Sequence, residues 1–193
     1  MFLDEPPHDD PVRALYDADL ESDGYVNNLT RLWAWRPDVN DAATAARAAV
    51  SRDSALTDED RAVLVAATAA ARHDSYCALA WGRRLASLAG TATAAGVLSG
   101  AVDALAPRTR ALAAWATVVV QDPNATTAED VARLRAVGLG DREIFEAMAF
   151  VAQRLAFSTV NDALGAEPDR QLVVGAPEEV VAAVAYGRPV AAE

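Results

Sequence analysis

The 193-residue sequence has no lysine, one cysteine, two histidines and two methionines, and aromatic residues make up only 6% of it. A lone cysteine excludes an intramolecular disulfide and suits a reducing compartment. Two histidines and one cysteine form no set with metal-ligand spacing, so no metal is expected. No glycine-rich loop has the spacing that cradles phosphates and no nucleophile elbow is present, so no cofactor is expected either. Long apolar runs are missing too. The longest uncharged apolar stretches, Ala62–Ala71 and Ala111–Val120, are about half of what a bilayer requires. The opening MFLDEPPHDD is acidic and proline-rich, without the basic and apolar regions of a secretion signal. Seventeen arginines face twenty-eight acidic residues, and the net charge of −11 repels nucleic-acid phosphates and anionic membranes. The chain therefore reads as cytoplasmic, with no nucleic acid and no membrane as partner.

What the sequence has in excess is alanine, the strongest helix former, while β-branched residues never alternate cleanly. An all-α chain of about eight helices follows, divided by start and stop signals. The first runs from an Asp9 or Asp10 cap to Gly24. A second covers YVNNLTRLWAWR and stops before Pro37, where the third begins. The fourth opens on a capping box, Thr57 with Asp60, and runs to His73. The fifth spans Asp74 to Gly90, and the sixth lies between Pro107 and Pro123. The seventh opens on a second box, Thr126 with Glu129, and stops at Gly138. The eighth, capped by Asp141 and closed by Gly165, is the longest, and EEVVAAVAYGR adds a short piece in the tail. Leu56, Arg61, Ala62, Ala67 and Thr68 recur 49 residues later as Leu105, Arg110, Ala111, Ala116 and Thr117, a pattern that suits an internal helix-pair repeat or chance in an alanine-rich chain.

The chemistry concentrates in ARHDSYCALAWGRRLA, Ala71 to Ala86. Cys77 sits in the first turn of its helix, where the dipole favours a thiolate, but Asp74 three residues earlier opposes ionisation. Asp74 reads either as the helix N-cap or as an acid/base carboxylate, and His73 as a helix-end cation or a group at a pocket mouth. Tyr76 and Trp81 read as core or pocket wall, and Trp33, Trp35 and Trp115 as core or interface.

With the helices in place, DEPP with VRALYDADLESDGYVNNLTRLWAWRPDV, LTDEDRAVLVAATAAARHDSYCALA, and the long segment from Leu105 to Asp169 resemble, in order and spacing, the AhpD-like carboxymuconolactone decarboxylase superfamily, in its peroxidase-related branch. The resemblance covers nearly the whole chain. It implies one AhpD-like domain over 1–193, with 1–8 as an N-terminal tail, 166–193 as a C-terminal extension, and a homo-oligomeric assembly. It also implies a C-x-x-C thiol pair that reduces hydroperoxides, with a relay glutamate and a histidine. Carried over by position, the second cysteine is Cys77 and the tyrosine often before it is Tyr76. The first cysteine falls on Asp74, the histidine on Trp81 and the glutamate on Ala62. Three function classes stay open: a peroxidase-related oxidoreductase using Cys77 with an external reductant; a non-redox enzyme on a small organic substrate using Asp74, Tyr76 or His73; and a silent member that binds a small molecule or serves assembly.

Overall fold

The computed structural model describes residues 1–192, and all regular structure in that span is helical. Eleven α-helices follow in order: α1 (Asp10–Ser22), α2 (Asn28–Trp33), α3 (Pro37–Ser51), α4 (Asp58–Arg72), α5 (Ser75–Ala89), α6 (Thr91–Ser99), α7 (Pro107–Gln121), α8 (Ala128–Ala136), α9 (Asp141–Ala163), α10 (Arg170–Val173) and α11 (Glu178–Ala183). Helix α6 has no counterpart in the sequence reading. Its segment TATAAGVLS carries two threonines, a glycine and no acidic first turn, so propensity is weak. It forms because Ala94, Val97 and Leu98 are buried against α4 and α5.

The Thr57 cap behaves as its sequence dictates: Asp60 N donates to Thr57 Oγ1 at 3.1 Å, and Thr57 N donates back to Asp60 Oδ2 at 2.9 Å. The second box is displaced by one residue, to Thr127 with Asp130. Pro123–Ala125 makes a 3-10 turn, and Thr126 is used there, its hydroxyl bonding Pro123 O at 2.9 Å. Helix α9 is preceded by Gly140 without a side-chain cap, and Asp141 instead pairs with Arg135 at 2.7 Å.

Helix α4 lies at the centre, packed against α5, α6, α7 and α9. Every residue from Ala62 to Ala69 is buried, the mark of a helix surrounded on all sides. Its alanines let the neighbouring backbones come close. Gly82 does the same for α5, since a Cβ there would stand 2.6 Å from Leu98 Cδ1 and 3.0 Å from Val180 Cγ1. Helix α7 begins and ends 49 residues after α4, and each has fifteen residues, matching the recurrence in the sequence. The correspondence stops there, because α8 has nine residues where α5 has fifteen.

Described residues near both termini pack back on the bundle. Phe2 N donates to Leu164 O at 3.0 Å, and Trp35 Nε1 donates to Asp4 O at 3.0 Å. Trp35 is 46% exposed and so is not a core residue, whereas Trp115 is buried. Gly187, at φ +77, runs against the His73 carbonyl and Ser75, where any side chain would collide. Ser75 Oγ donates to Arg188 O at 2.8 Å, fixing the last turn of chain over the α4–α5 corner.

One ion pair joins the start of α4 to α7. Arg108 donates to both Asp60 oxygens, at 2.8 and 2.9 Å, and to Val137 O at 3.0 Å. Burial raises the Asp60 carboxyl, but the Arg108 and Thr57 hydrogen bonds outweigh it and hold it below its ordinary value. That contribution is present at neutral pH and is lost as pH falls through the depressed value. Arg108→Met leaves a buried carboxylate unpaired and is expected to cost roughly 2 kcal/mol, reduced from the fully buried case because the arginine is partly exposed. The melting temperature at pH 7 should fall by about 4–8 °C, and the gap to the unaltered protein should narrow toward pH 3. An equal gap at both pH values would contradict this role.

Candidate functional site

The chain turns from α4 into α5 over two residues. His73 closes α4 in the left-handed region at φ 56, and Asp74 opens α5. Asp74 Oδ1 accepts the Cys77 amide at 2.9 Å, so the N-cap role is the one this side chain fills. Its other oxygen, Oδ2, is buried with no hydrogen-bond partner. Cys77 is 3% exposed and faces α9, with Sγ 3.4 Å from Ser158 Oγ and 3.5 Å from Arg154 Nη2.

Competing effects meet at this sulfur. Burial pushes the thiol up from 9.0, and the Asp74 carboxylate pushes the same way. The Arg154 guanidinium and the Ser158 hydrogen bond pull it down. Burial and Asp74 win, and the thiol stands at about 12. The helix N-terminus does not offset them, since its influence at one side chain is only about 0.3–1 kcal/mol in ordinary geometries. At neutral pH the group is a protonated, enclosed thiol.

The four residues singled out from sequence do not converge. Asp74 and Cys77 stand together. The Tyr76 hydroxyl donates to Asp169 Oδ2, and Asp169 Oδ1 takes the Asn28 amide at 3.0 Å, which ties α5 to the start of α2. Burial and the Asp169 charge push the Tyr76 phenol far above its ordinary value, so it is no proton carrier near neutrality. His73 is exposed, with its ring 5.4 Å from that of Tyr186. His73 and Tyr76 line a 260 Å³ cavity with Arg72, Asp162 and Arg188, and Cys77 is not part of its wall. Burial and Asp74 raise the Asp162 carboxyl to about 6, against the pull of Arg72 and Arg188. A larger, mainly apolar groove of 710 Å³ runs between α4, α6, α7 and α11, and it too leaves Cys77 aside.

The residues that do meet Cys77 come from α9 and were not foreseen. Arg154 lies 5.2 Å from the ring centres of both Trp81 and Phe157. Trp33 stacks on Phe157 at 5.2 Å, and its indole N–H donates to Asn161 Oδ1 at 2.7 Å. A signal for them existed in the sequence: Ile144, Ala147, Val151, Arg154, Ser158 and Asn161 follow at alternating spacings of three and four, one helix face that turns polar halfway. Ala62, at the position implied for the relay glutamate, is fully buried, and Trp81, at that implied for the histidine, is half-buried. Among the described residues no group of three metal-ligating side chains comes together, and no helix is long and apolar enough to cross a membrane.

With this geometry in view, solved structures share the arrangement of helices. The crystal structure of an alkylhydroperoxidase AhpD core, an uncharacterized peroxidase-related protein from Ralstonia eutropha JMP134, matches with a TM-score of 0.79 at 24% identity, covering 90% of this chain and 94% of that one. An uncharacterized peroxidase-related protein from Silicibacter sp. TM1040 matches with a TM-score of 0.78 at 21% identity, covering 89% and 93%. No family model and no curated protein matches the chain. The chain has the AhpD-like fold over nine-tenths of its length.

The balance at Cys77 can be tilted by one substitution. Asp74→Asn keeps a side-chain oxygen for the Cys77 amide and removes the charge, so the helix should stay capped within a few tenths of a kcal/mol. The thiolate fraction below the pKa then rises about tenfold for each unit the thiol descends. Iodoacetamide should therefore modify the variant faster than the unaltered protein at every pH from 7 to 9. Equal rates would show that Asp74 has no electrostatic hold on the thiol.

Proposed function

We propose that this protein is a peroxidase-related member of the AhpD-like group in which thiol chemistry is weak or absent, and in which the cluster of side chains around Cys77 and Arg154 binds a small molecule. The observation that carries this reading is the state of Cys77: buried, beside Asp74, and protonated up to about 12. Reduction of a hydroperoxide needs a thiolate to attack the O–O bond, which forms a sulfenic acid and releases the alcohol or water. A second thiol must then condense with the sulfenic acid, and this chain has no second cysteine. By resemblance, the positions of the first cysteine, the histidine and the relay glutamate are held by Asp74, Trp81 and Ala62. None of the three can replace the function that the resemblance assigns to its position. A reducing, cytoplasmic setting suits a chain with one free cysteine.

An acid/base reading draws support from one feature, the Asp162 carboxyl at about 6 beside His73 in the 260 Å³ cavity. It is the carboxyl group brought nearest to neutral titration, and such groups suit proton transfer. It would use Asp162 and His73 rather than Asp74, which is committed to capping α5.

The leading reading is tested by following consumption of cumene hydroperoxide with dithiothreitol or a dithiol protein as reductant. The rate should equal that of Cys77→Ala, with no saturation by peroxide. Saturable turnover that disappears in Cys77→Ala would overturn it.

The proposal includes a homo-oligomer. Phe145 and Val174 are 72% and 69% exposed, Leu88 is 41% exposed, and the 710 Å³ groove is walled mainly by alanine and valine. Light scattering at micromolar concentration should give at least twice the 20.3 kDa chain mass. A 20.3 kDa monomer would contradict it.

A further inference from the structure

Arg154 is 9% exposed, yet it has no carboxylate. Its hydrogen bond runs to the Cys77 sulfur at 3.5 Å, and Nε has no partner at all. A second cation stands nearby. Arg47, half-buried on α3, lies 4.6 Å from the centre of the Phe157 ring that Arg154 also faces, and its hydrogen bond goes to Thr44 Oγ1 at 2.9 Å. Burial and the Arg154 charge together push Arg47 below its ordinary value, which places the two guanidiniums within each other's field. Neither makes an ion pair among the described residues, whereas Arg61, Arg108, Arg135 and Arg142 all do.

A buried cation without an anion is a costly arrangement, and stacking on aromatic faces offsets only part of the loss of hydration. The cost recurs beside it, because Asn161 Nδ2, one turn of α9 beyond Ser158, is also buried and unpartnered. Two cations and an orphan amide donor share one neighbourhood in a chain of net charge −11. Planar guanidinium forks match the two oxygens of a carboxylate, and the flanking Trp81 and Phe157 rings suit a flat apolar body.

We propose that Arg154 and Arg47 bind a small organic carboxylate, with its charged end between the guanidiniums and its aromatic or apolar body against Trp81 and Phe157. Arg47 and Trp81, both half-buried, are the members of this cluster that reach solvent. This names the ligand class for the binding reading given above and rests on that reading. Inorganic phosphate satisfies the charge but leaves the rings unused, so a carboxylate with an apolar body is the better fit.

Benzoate, its neutral isostere benzamide and inorganic phosphate test the assignment, with melting temperature and tryptophan fluorescence as readouts. Benzoate at tens of millimolar should raise the melting temperature and change the emission, and benzamide should do neither. Arg47→Met and Arg154→Met should each weaken benzoate binding at least about tenfold. Arg154→Met should melt no lower than the unaltered protein, because it removes a lone buried charge; if it fails to fold, half-buried Arg47→Met carries the test. Equal shifts with benzoate and benzamide, a shift with phosphate alone, no shift with benzoate, or unchanged benzoate affinity in Arg47→Met would each overturn the proposal. The peroxide assay is read separately. Benzoate binding together with peroxide turnover overturns only the silent-thiol reading, and peroxide silence without benzoate binding overturns only this one.

Discussion

The Asp74 carboxylate accepts the Cys77 amide at 2.9 Å, and in doing so it starts α5 one residue after His73 closes α4. Much else in the molecule depends on that corner. It lays α5 along the buried Ala62–Ala69 stretch of α4, where Gly82 allows α6 and α11 to close over it. It also fixes the sulfur of Cys77 toward Ser158 and Arg154 of α9. The same carboxylate that organises the turn raises the thiol it positions. A helix start that would otherwise favour a thiolate is thereby neutralised from within its own first turn.

The polar half of the α9 face gives the site its remaining character. Arg154, Ser158 and Asn161 occupy positions that continue the apolar series of Ile144, Ala147 and Val151, and polar groups at core positions demand partners. Ser158 finds Cys77, and Asn161 finds Trp33 through its oxygen. Arg154 finds two aromatic rings and a sulfur, none of them anionic. An AhpD-like scaffold is thus joined to a cationic, aromatic-walled centre in which the thiol is a neighbour rather than the reacting group.

Much of this was legible in the sequence, and the exceptions have physical causes. Proline, glycine and capping residues marked α1, α3, α4, α5 and α7, and Gly165 marked the end of α9, because those ends are decided locally. Helix α6 was invisible because tertiary burial, not propensity, forms it. The second capping box slipped by one residue because the preceding 3-10 turn uses Thr126. At the site, the Asp74 cap and the charge that opposes the Cys77 thiolate followed from position in the helix. The separate directions of Tyr76 and His73 did not, because they depend on Asp169 and Tyr186, distant in sequence. Arg154 was readable in principle from its place on a core face, and Arg47 was not, since α3 buries none of its residues.

The central claim is that burial and Asp74 together hold the Cys77 thiol protonated. Because the chain has one cysteine, 13C labelling at its Cβ gives a single resonance whose shift reports the ionisation of that sulfur. Followed from pH 6 to pH 10 in the folded protein, the resonance should keep its thiol position throughout, as a group at about 12 requires. A titration with its midpoint below pH 8 would contradict the account and would make Cys77 an activated nucleophile.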